Sequence, residues 1–547
     1  MGSTFRGLET GKSGINVAML NMEVAGQNIA NADTPGYTRQ RVIQVAKAPP
    51  GSRYVVSQVY NKMAGQGADI LGIQQLRSEY LDMQYRNLNS TRNYYESRSQ
   101  AMDYLTGVLN ELDEDASISN RLDAFASAMS RLAEEPSSEE YRLNLQQSGV
   151  SLTETIGYVY DEMVDLARSQ AENLDTTAQA INMNAVKIAA LNTAIASYER
   201  TGQSANELKD ERNLLLDQLA GLVNIEYKVS DQNESMVDVS IGGVALVTGR
   251  DANQIDIQPA AAPNDITGIT SYTLTLDGVE LHSKYTGDPA DANVTGGELF
   301  SQMEMLENAT ETNPGIPYYV SRLDDLAQTI AKTVNNIHAE GYTYPDAENG
   351  HVSQRWINFF EVPAKQAVDG NGDPLFDAGG NPVYVQAKDA NGDPLFDGNG
   401  NPVYEADYSQ VTGGNLSLSK EVLSSVWNIA ASDKPVDLNA ATTNSGNAIK
   451  ILAIQHAFES GEVYGTLNSF VVHLGIAANA CDGLLHTTES LINSVDNQRD
   501  SISSVSLGEE ATNIIMYKQS YNASARVISS IDEMLDKLIN GTGRVGL

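Results

Sequence analysis

Cysteine is almost missing. Cys481 is the only one in 547 residues, so no internal disulfide can form, and its place in an apolar helical run reads as a small buried hydrophobe. There is no long apolar span and no cleavable leader, so neither a membrane-embedded nor an ordinarily secreted chain is expected. Met1-Gly2 does not open a myristoylation signal, because position 6 is Arg6 rather than Ser or Thr. Bases are scarce: 35 Lys and Arg stand against 71 Asp and Glu, a formal net charge of −36. A surface this acidic repels phosphate backbones, and no basic aromatic stripe offsets it, so neither nucleic acid nor membrane is an expected partner.

Catalytic signatures are missing as well. The six histidines (282, 338, 351, 456, 473 and 486) are scattered, with no HExxH or close ligand pair, so no metal site is expected. There is no nucleophile elbow and no cysteine cluster, and the acids are too many to single out a catalytic pair. Neither catalysis nor a cofactor is expected. The stretch from Gly7 to Ser13 invites a phosphate-loop reading, but three residues separate Gly7 from Gly11 where four are needed, and no strand precedes it.

What is present is periodicity at both ends. Leu507, Ala511, Ile514, Tyr521, Ala525, Ile528, Leu535 and Ile539 step by threes and fours or their sums, the seam a coiled coil needs. Ser506 with Glu509 makes a capping box, Asn540-Gly541 supplies the stop, and Lys518 and Asp532 interrupt the seam at positions expected to be buried. Phe5, Leu8, Ile15, Met19, Met22, Ala25 and Ile29 form a second stripe, in which Leu8, Ile15, Met22 and Ile29 are seven apart. It stops at Asn31, where Pro35 and Gly36 enforce a turn. Each helix can hide the other's stripe, so the termini belong to one unit with everything else inserted. Residues 1–48 carry five bases against three acids and 501–547 four against five, so the ends sum to +1 and the middle holds −37. Near-neutral ends suit segments that pack against copies of themselves.

Between the ends, short β-like stretches run to about residue 70. Long helical patterns follow, with capping boxes at Ser137–Glu140 and Ser204–Glu207. From Ile225 the period changes to two, with turns at Gly242-Gly243 and Asp277-Gly278. Residues 369–406 repeat with a period of 20, each copy carrying an Asn-Gly and a Gly-Asn-Pro turn, which reads as two β-hairpins. Asp369, Asn371 and Asp373, like Asp389, Asn391 and Asp393, match the start of a calcium loop. Pro374 and Pro394 replace its glycine, and Gly380 and Gly400 stand where its Glu should be, so turn chemistry is the better account. The expected architecture is mainly α with inserted β domains. It has a terminal coiled-coil unit (1–60 and 501–547), a helical rod (61–225, 298–360 and 413–500), a β domain (226–297) and a hairpin-repeat insertion (361–412).

The stretch from Val24 through Asn31, Pro35, Gly36 and Tyr37 to Arg39 resembles the N-terminal signature of the flagellar axial protein family. The stretches Gly508–Leu535, Gly72–Gln84 and Glu207–Leu219 resemble its hook-associated protein 1 branch, and the resemblance covers about 1–225, 298–360 and 414–547. It implies a structural component at the hook–filament junction, exported through the flagellum's own channel and working by self-assembly. The implied partners are copies of itself, hook protein, hook-associated protein 3 and an export chaperone on the C-terminal helix. The seam residues would form an inner tube, and Asn31, Pro35, Gly36 and Tyr37 would set the turn leaving it. The alternatives are another axial protein (hook protein or flagellin) and a secreted adhesin or hydrolase with a coiled-coil stalk. Hook protein has a more β-rich middle, which the long helices count against.

Overall fold

The structure is a computed structural model describing residues 5–47, 67–109, 117–259, 270, 272–283, 292–345, 352–369, 374–376, 381–389, 392–396, 400–436 and 448–541. Helix α1 (Phe5–Ala30) leads into an antiparallel pair, β1 (Gln40–Ala46) and β2 (Ala68–Gln75). Four helices follow: α2 (Glu79–Leu109), α3 (Ile118–Glu134), α4 (Glu139–Arg200) and α5 (Asn206–Leu222). At 62 residues α4 is the spine of the rod, roughly 90 Å long at 1.5 Å per residue. Its cap is Ser138, whose hydroxyl accepts from the Tyr141 N–H, one residue later than the expected box. Helix α5 starts at Asn206 without a side-chain cap, because its N-cap position is Ala205 and not the expected Ser204; Asn206 and Glu207 bind the two ends of the Gln40 amide.

Two four-stranded sheets come next. One orders β3 (Glu226–Ser230), β4 (Asn233–Ile241), β5 (Val244–Thr248) and β6 (Asp251–Ala252); the other contains β7 (Ile255–Pro259), β8 (Tyr272–Leu276), β9 (Val279–His282) and β10 (Ala292–Asn293). Both expected turns join antiparallel neighbours. Their central residues have positive φ (54° and 86° at Gly242-Gly243, 53° and 77° at Asp277-Gly278), as tight hairpins demand. Asn192 on α4 fixes the first sheet, donating to the Val237 and Gly249 carbonyls at 2.8 and 2.7 Å. The chain then returns to the rod as α6 (Gly297–Glu307), α7 (Ile316–His338), α8 (Lys420–Ser424), α9 (Ile449–Glu459) and α10 (Glu462–Ser503), and ends in α11 (Leu507–Asn540).

The rod's core is knitted by aromatics from distant segments. Phe125 on α3 packs against Phe359, Phe360 and Phe458, with ring centroids 5.5 to 6.0 Å apart. Asn335 on α7 holds this corner, its Oδ1 accepting from both the Phe359 and Phe360 N–H groups at 2.9 Å. One turn on, buried His338 donates from Nδ1 to the Ile357 carbonyl and accepts the Ala430 N–H at Nε2. Cys481 on α10 is buried.

The repeat insertion departs from the expected pair of hairpins. Lys365 N–H donates to Glu405 O, Val385 N–H to Lys365 O and Glu405 N–H to Val385 O (2.7–2.8 Å), closing a triangle of three segments one repeat period apart. Each repeat then closes its own smaller triangle, Ala367–Leu375–Val383 in the first and Ala387–Leu395–Val403 in the second. In the smaller triangles proline limits the pairing. Pro374, Pro382, Pro394 and Pro402 occupy the bridge positions opposite Val368, Phe376, Lys388 and Phe396, and without an N–H they stop any ladder after one rung. Asp389 makes a turn, accepting the Asp393 N–H at Oδ1; Asn371, Asp373, Gly380 and Asn391 lie outside the described residues.

Candidate assembly interface

The two ends of the chain pack on each other inside one molecule, running antiparallel. Glycines set the contact. A Cβ added at Gly7, Gly11 or Gly14 would lie 2.5–2.6 Å from Ile531, Ile528 and Ser524 respectively. The stretch that resembled a phosphate loop is thus a groove on α1 into which α11 sinks. Farther along, Asn21, Ala25 and Asn28 line a cavity of about 70 Å³ with Glu510, Asn513 and Tyr517. Small and polar residues therefore make the α1 side of the joint.

The apolar stripe lies beside that groove. Leu8, Ile15, Met22 and Ile29 are only half-buried, and Met19 is 53 % exposed. On α11, Ile514, Tyr521, Ile528 and Leu535 are half-buried along the α1 side, whereas Leu507 is exposed. Lys518 and Asp532 face solvent, not a seam. A second line on α11 (Met516, Val527, Met534 and Leu538) is 46–58 % exposed. Its spacings of 11, 7 and 4 keep one helix face. The helical pair thus buries one seam and leaves apolar surface over.

Where the pair meets the rod, buried charges converge from the stretches that carried the family resemblance. Arg39 reaches Glu509 and Glu510 at 2.8 and 2.7 Å, joining the N-terminal signature to the C-terminal one, and its N–H donates to the Ser503 carbonyl. Asp210 accepts the Thr38 N–H at 3.0 Å and the Gln75 amide at 2.7 Å. Burial pushes the Asp210 carboxyl up to about 6 despite these donors. Arg77 pairs with Asp82, and Asp217 is shared between Arg86 and Arg499, which also reaches Asp82. The joint is a knot of ion pairs contributed by α2 and the residues before it, α5, α10, α11 and the turn after α1.

The turn residues have distinct duties. The Thr34 N–H donates to the Asn31 carbonyl and the Tyr37 N–H to that of Thr34, with Pro35 exposed between them. Gly36 sits at φ +79° over Leu214 on α5, a backbone state that favours glycine. The Tyr37 hydroxyl donates to Asn28 Oδ1 at 2.9 Å, and burial beside Glu207, Asp210 and Glu510 raises its pKa to about 12. Asn28 also binds both backbone groups of Gln40.

Sequence reasoning missed Asn28, Asp82, Arg86, Asp210, Asp217 and Arg499 as joint residues. Spacing held a signal: Asp82 and Arg86 are four apart and Asp210 and Asp217 seven apart, so each pair shares a helix face with buried neighbours.

Among the described residues no group of three or more His, Cys, Asp or Glu could hold a metal ion, and no helix is long and apolar enough to cross a membrane. Residues 102–352 match the profile of the flagellar hook-associated protein FlgK helical domain. Residues 8–38 match the flagella basal body rod protein profile, and residues 496–541 match the C-terminal profile of the flagellar basal body rod FlgEFG proteins. Flagellar hook-associated protein 1 of Bacillus subtilis is 29 % identical, the alignment covering 99 % of both chains. That of Salmonella typhimurium is 23 % identical over 96 % of this chain and 98 % of its own. The solved structure of the flagellar hook junction protein FlgK from Burkholderia pseudomallei shares the fold, with a TM-score of 0.54 at 15 % identity, covering 77 % of this chain and all of that one. Through these three profiles and relatives aligned end to end, the chain is similar along its whole length to flagellar hook-associated protein 1.

Proposed function

We infer that the chain is a structural element joining hook to filament in the bacterial flagellum, and that it works by assembly rather than catalysis. The observation that carries this reading is the apolar surface left over on the α1–α11 pair. Leu8, Ile15, Met22, Ile29 and Leu507, with the second line on α11, complete their burial against neighbouring copies. A chain that meets its neighbours through two different faces of one helical pair forms heterologous contacts, which build rings or helical arrays. In this reading the terminal unit (1–60 and 501–547) forms an inner tube. The rod (61–225, 298–360 and 413–500) and the modules at 226–297 and 361–412 face outward. Hook protein lies below, hook-associated protein 3 above, and the subunit leaves the cell through the flagellum's own channel, its α11 carried by an export chaperone.

Deleting the gene should leave cells with hooks and no filaments, and flagellin should escape into the medium. Electron microscopy and a blot of the culture supernatant read both outcomes. Normal filaments on the deletion strain would overturn the assignment.

A further inference from the structure

Among the described residues of the triangular module at 363–407, none belongs to the joint or to the buried rod core. It stands on a stalk, the Ala364–Ala406 bridge braced by Lys365 and Glu405. Its surface has two features that bear on each other. First, large apolar side chains are outside: Phe376 is 58 % and Phe396 51 % exposed, with Tyr384 and Tyr404 also exposed and their rings 5.7 Å apart. Phe376 and Phe396 hold equivalent places in the two arms, opposite Pro382 and Pro402. Second, residues 363–407 carry eight acids against two bases, a net of −6 in 45 residues, about twice the charge density that −36 gives over 547.

We propose that this module is a bivalent docking surface for a cationic, amphipathic polypeptide, with one aromatic site per arm. Charge decides the occupant. A second copy of the module, a nucleic acid or an anionic lipid surface would bring like charge against the acids, which is unfavourable at contact distance. A partner with alternating basic and apolar residues offers ammonium groups to the carboxylates and apolar side chains to Phe376 and Phe396. Exposed apolar clusters rimmed by polar groups are the usual mark of such surfaces. The repeat sets the valency, since one period of sequence makes one arm. The proposal stands apart from the assembly reading, because none of these residues belongs to the terminal helices.

The test uses the full-length chain and a fluorescent peptide of alternating lysine and leucine, with a polylysine of equal length as the purely electrostatic control. Anisotropy titration should give two sites per chain for the alternating peptide, at least tenfold tighter than polylysine. Either Phe376→Ser or Phe396→Ser should remove one site, and the double substitution both. A chain lacking 364–406, with Pro363 joined to its neighbour Asp407, should bind both probes alike, which guards against misfolding of the substituted arms. Equal binding by wild type and the double variant would assign the affinity to the general acidic surface and overturn the proposal. So would preferential binding of a neutral glucan oligosaccharide, the other chemistry that exposed tyrosines can serve.

Discussion

Asp217 sits between two guanidiniums, and that position makes it the most sensitive charge in the joint. Arg86, 2 % exposed, holds one oxygen of the Asp217 carboxylate and Arg499 the other. Removing one partner of a buried pair leaves an uncompensated charge, a loss on the order of 3–5 kcal/mol. Asp217→Ala should therefore lower the unfolding free energy measured by denaturant titration by that amount, whereas Asp165→Ala, whose partner Arg168 is exposed, should change it by less than about 0.5 kcal/mol. His338 gives a second residue-scale expectation, in pH. Burial, with some repulsion from Arg142, drives its pKa down to about 4 from 6.5. Below pH 6.5 the unfolded chain takes up a proton that the folded one refuses, so the stability due to neutral His338 is complete above 6.5 and lost as pH falls towards 4. Comparing wild type with His338→Asn should show this as a differential of about 3 kcal/mol between pH 7 and pH 4. Asp210 and Asp324, both raised to about 6 by burial, slope the opposite way and cancel in the comparison.

Helices and turns were legible where local rules decide them. The caps at Ser506 and Gly541, the hairpin turns at Gly242 and Asp277, and the helical periods all follow from neighbours in sequence. The mutual arrangement of α1 and α11 was only partly legible, because apolar periodicity marks which face wants burial but not which face a partner reaches first. Glycines decided that. A side chain at Gly11 would strike Ile528, so Gly11→Val should force the helices apart at a cost of about 1–3 kcal/mol, and Ile528→Ala in that background should recover part of it. Met534→Asp is the complementary change. Met534 is 58 % exposed in the single chain, so its substitution should leave the melting temperature within error and yet abolish incorporation at the hook tip. Incorporation at the wild-type level would show that the outer line of α11 makes no contact between copies. The triangles of the repeat were out of reach for a different reason: the turn residues announce reversals of direction, while the closure of three segments depends on contacts 20 and 40 residues apart.

Over the whole molecule, burial is distributed unevenly. Helix α4 buries a continuous apolar face from Leu145 to Ile195, whereas Glu510 is the only buried residue of α11 among those described. Ordering a residue costs on the order of 1–2 kcal/mol, and most helical stability in proteins comes from packing. Hydrogen exchange on the isolated subunit should accordingly find fast amides over 5–30 and 507–540 and slow ones over 139–200. Equal protection in both would mean that the ends are stable without neighbours, and assembly would then have nothing to fold.

The pairing of Arg39 with Glu510 joins residues 471 positions apart. A ribosome making about 5–20 residues per second releases the N-terminal helix roughly half a minute to a minute and a half before its partner exists. Throughout that interval the glycine groove of α1 is an open seat, and nothing in the nascent chain has the complementary helix to fill it. The rod can form while the joint cannot. Completion of the last thirty residues is therefore the event that closes the molecule, and any subunit truncated near its C-terminus carries an unclosed joint into whatever it meets next.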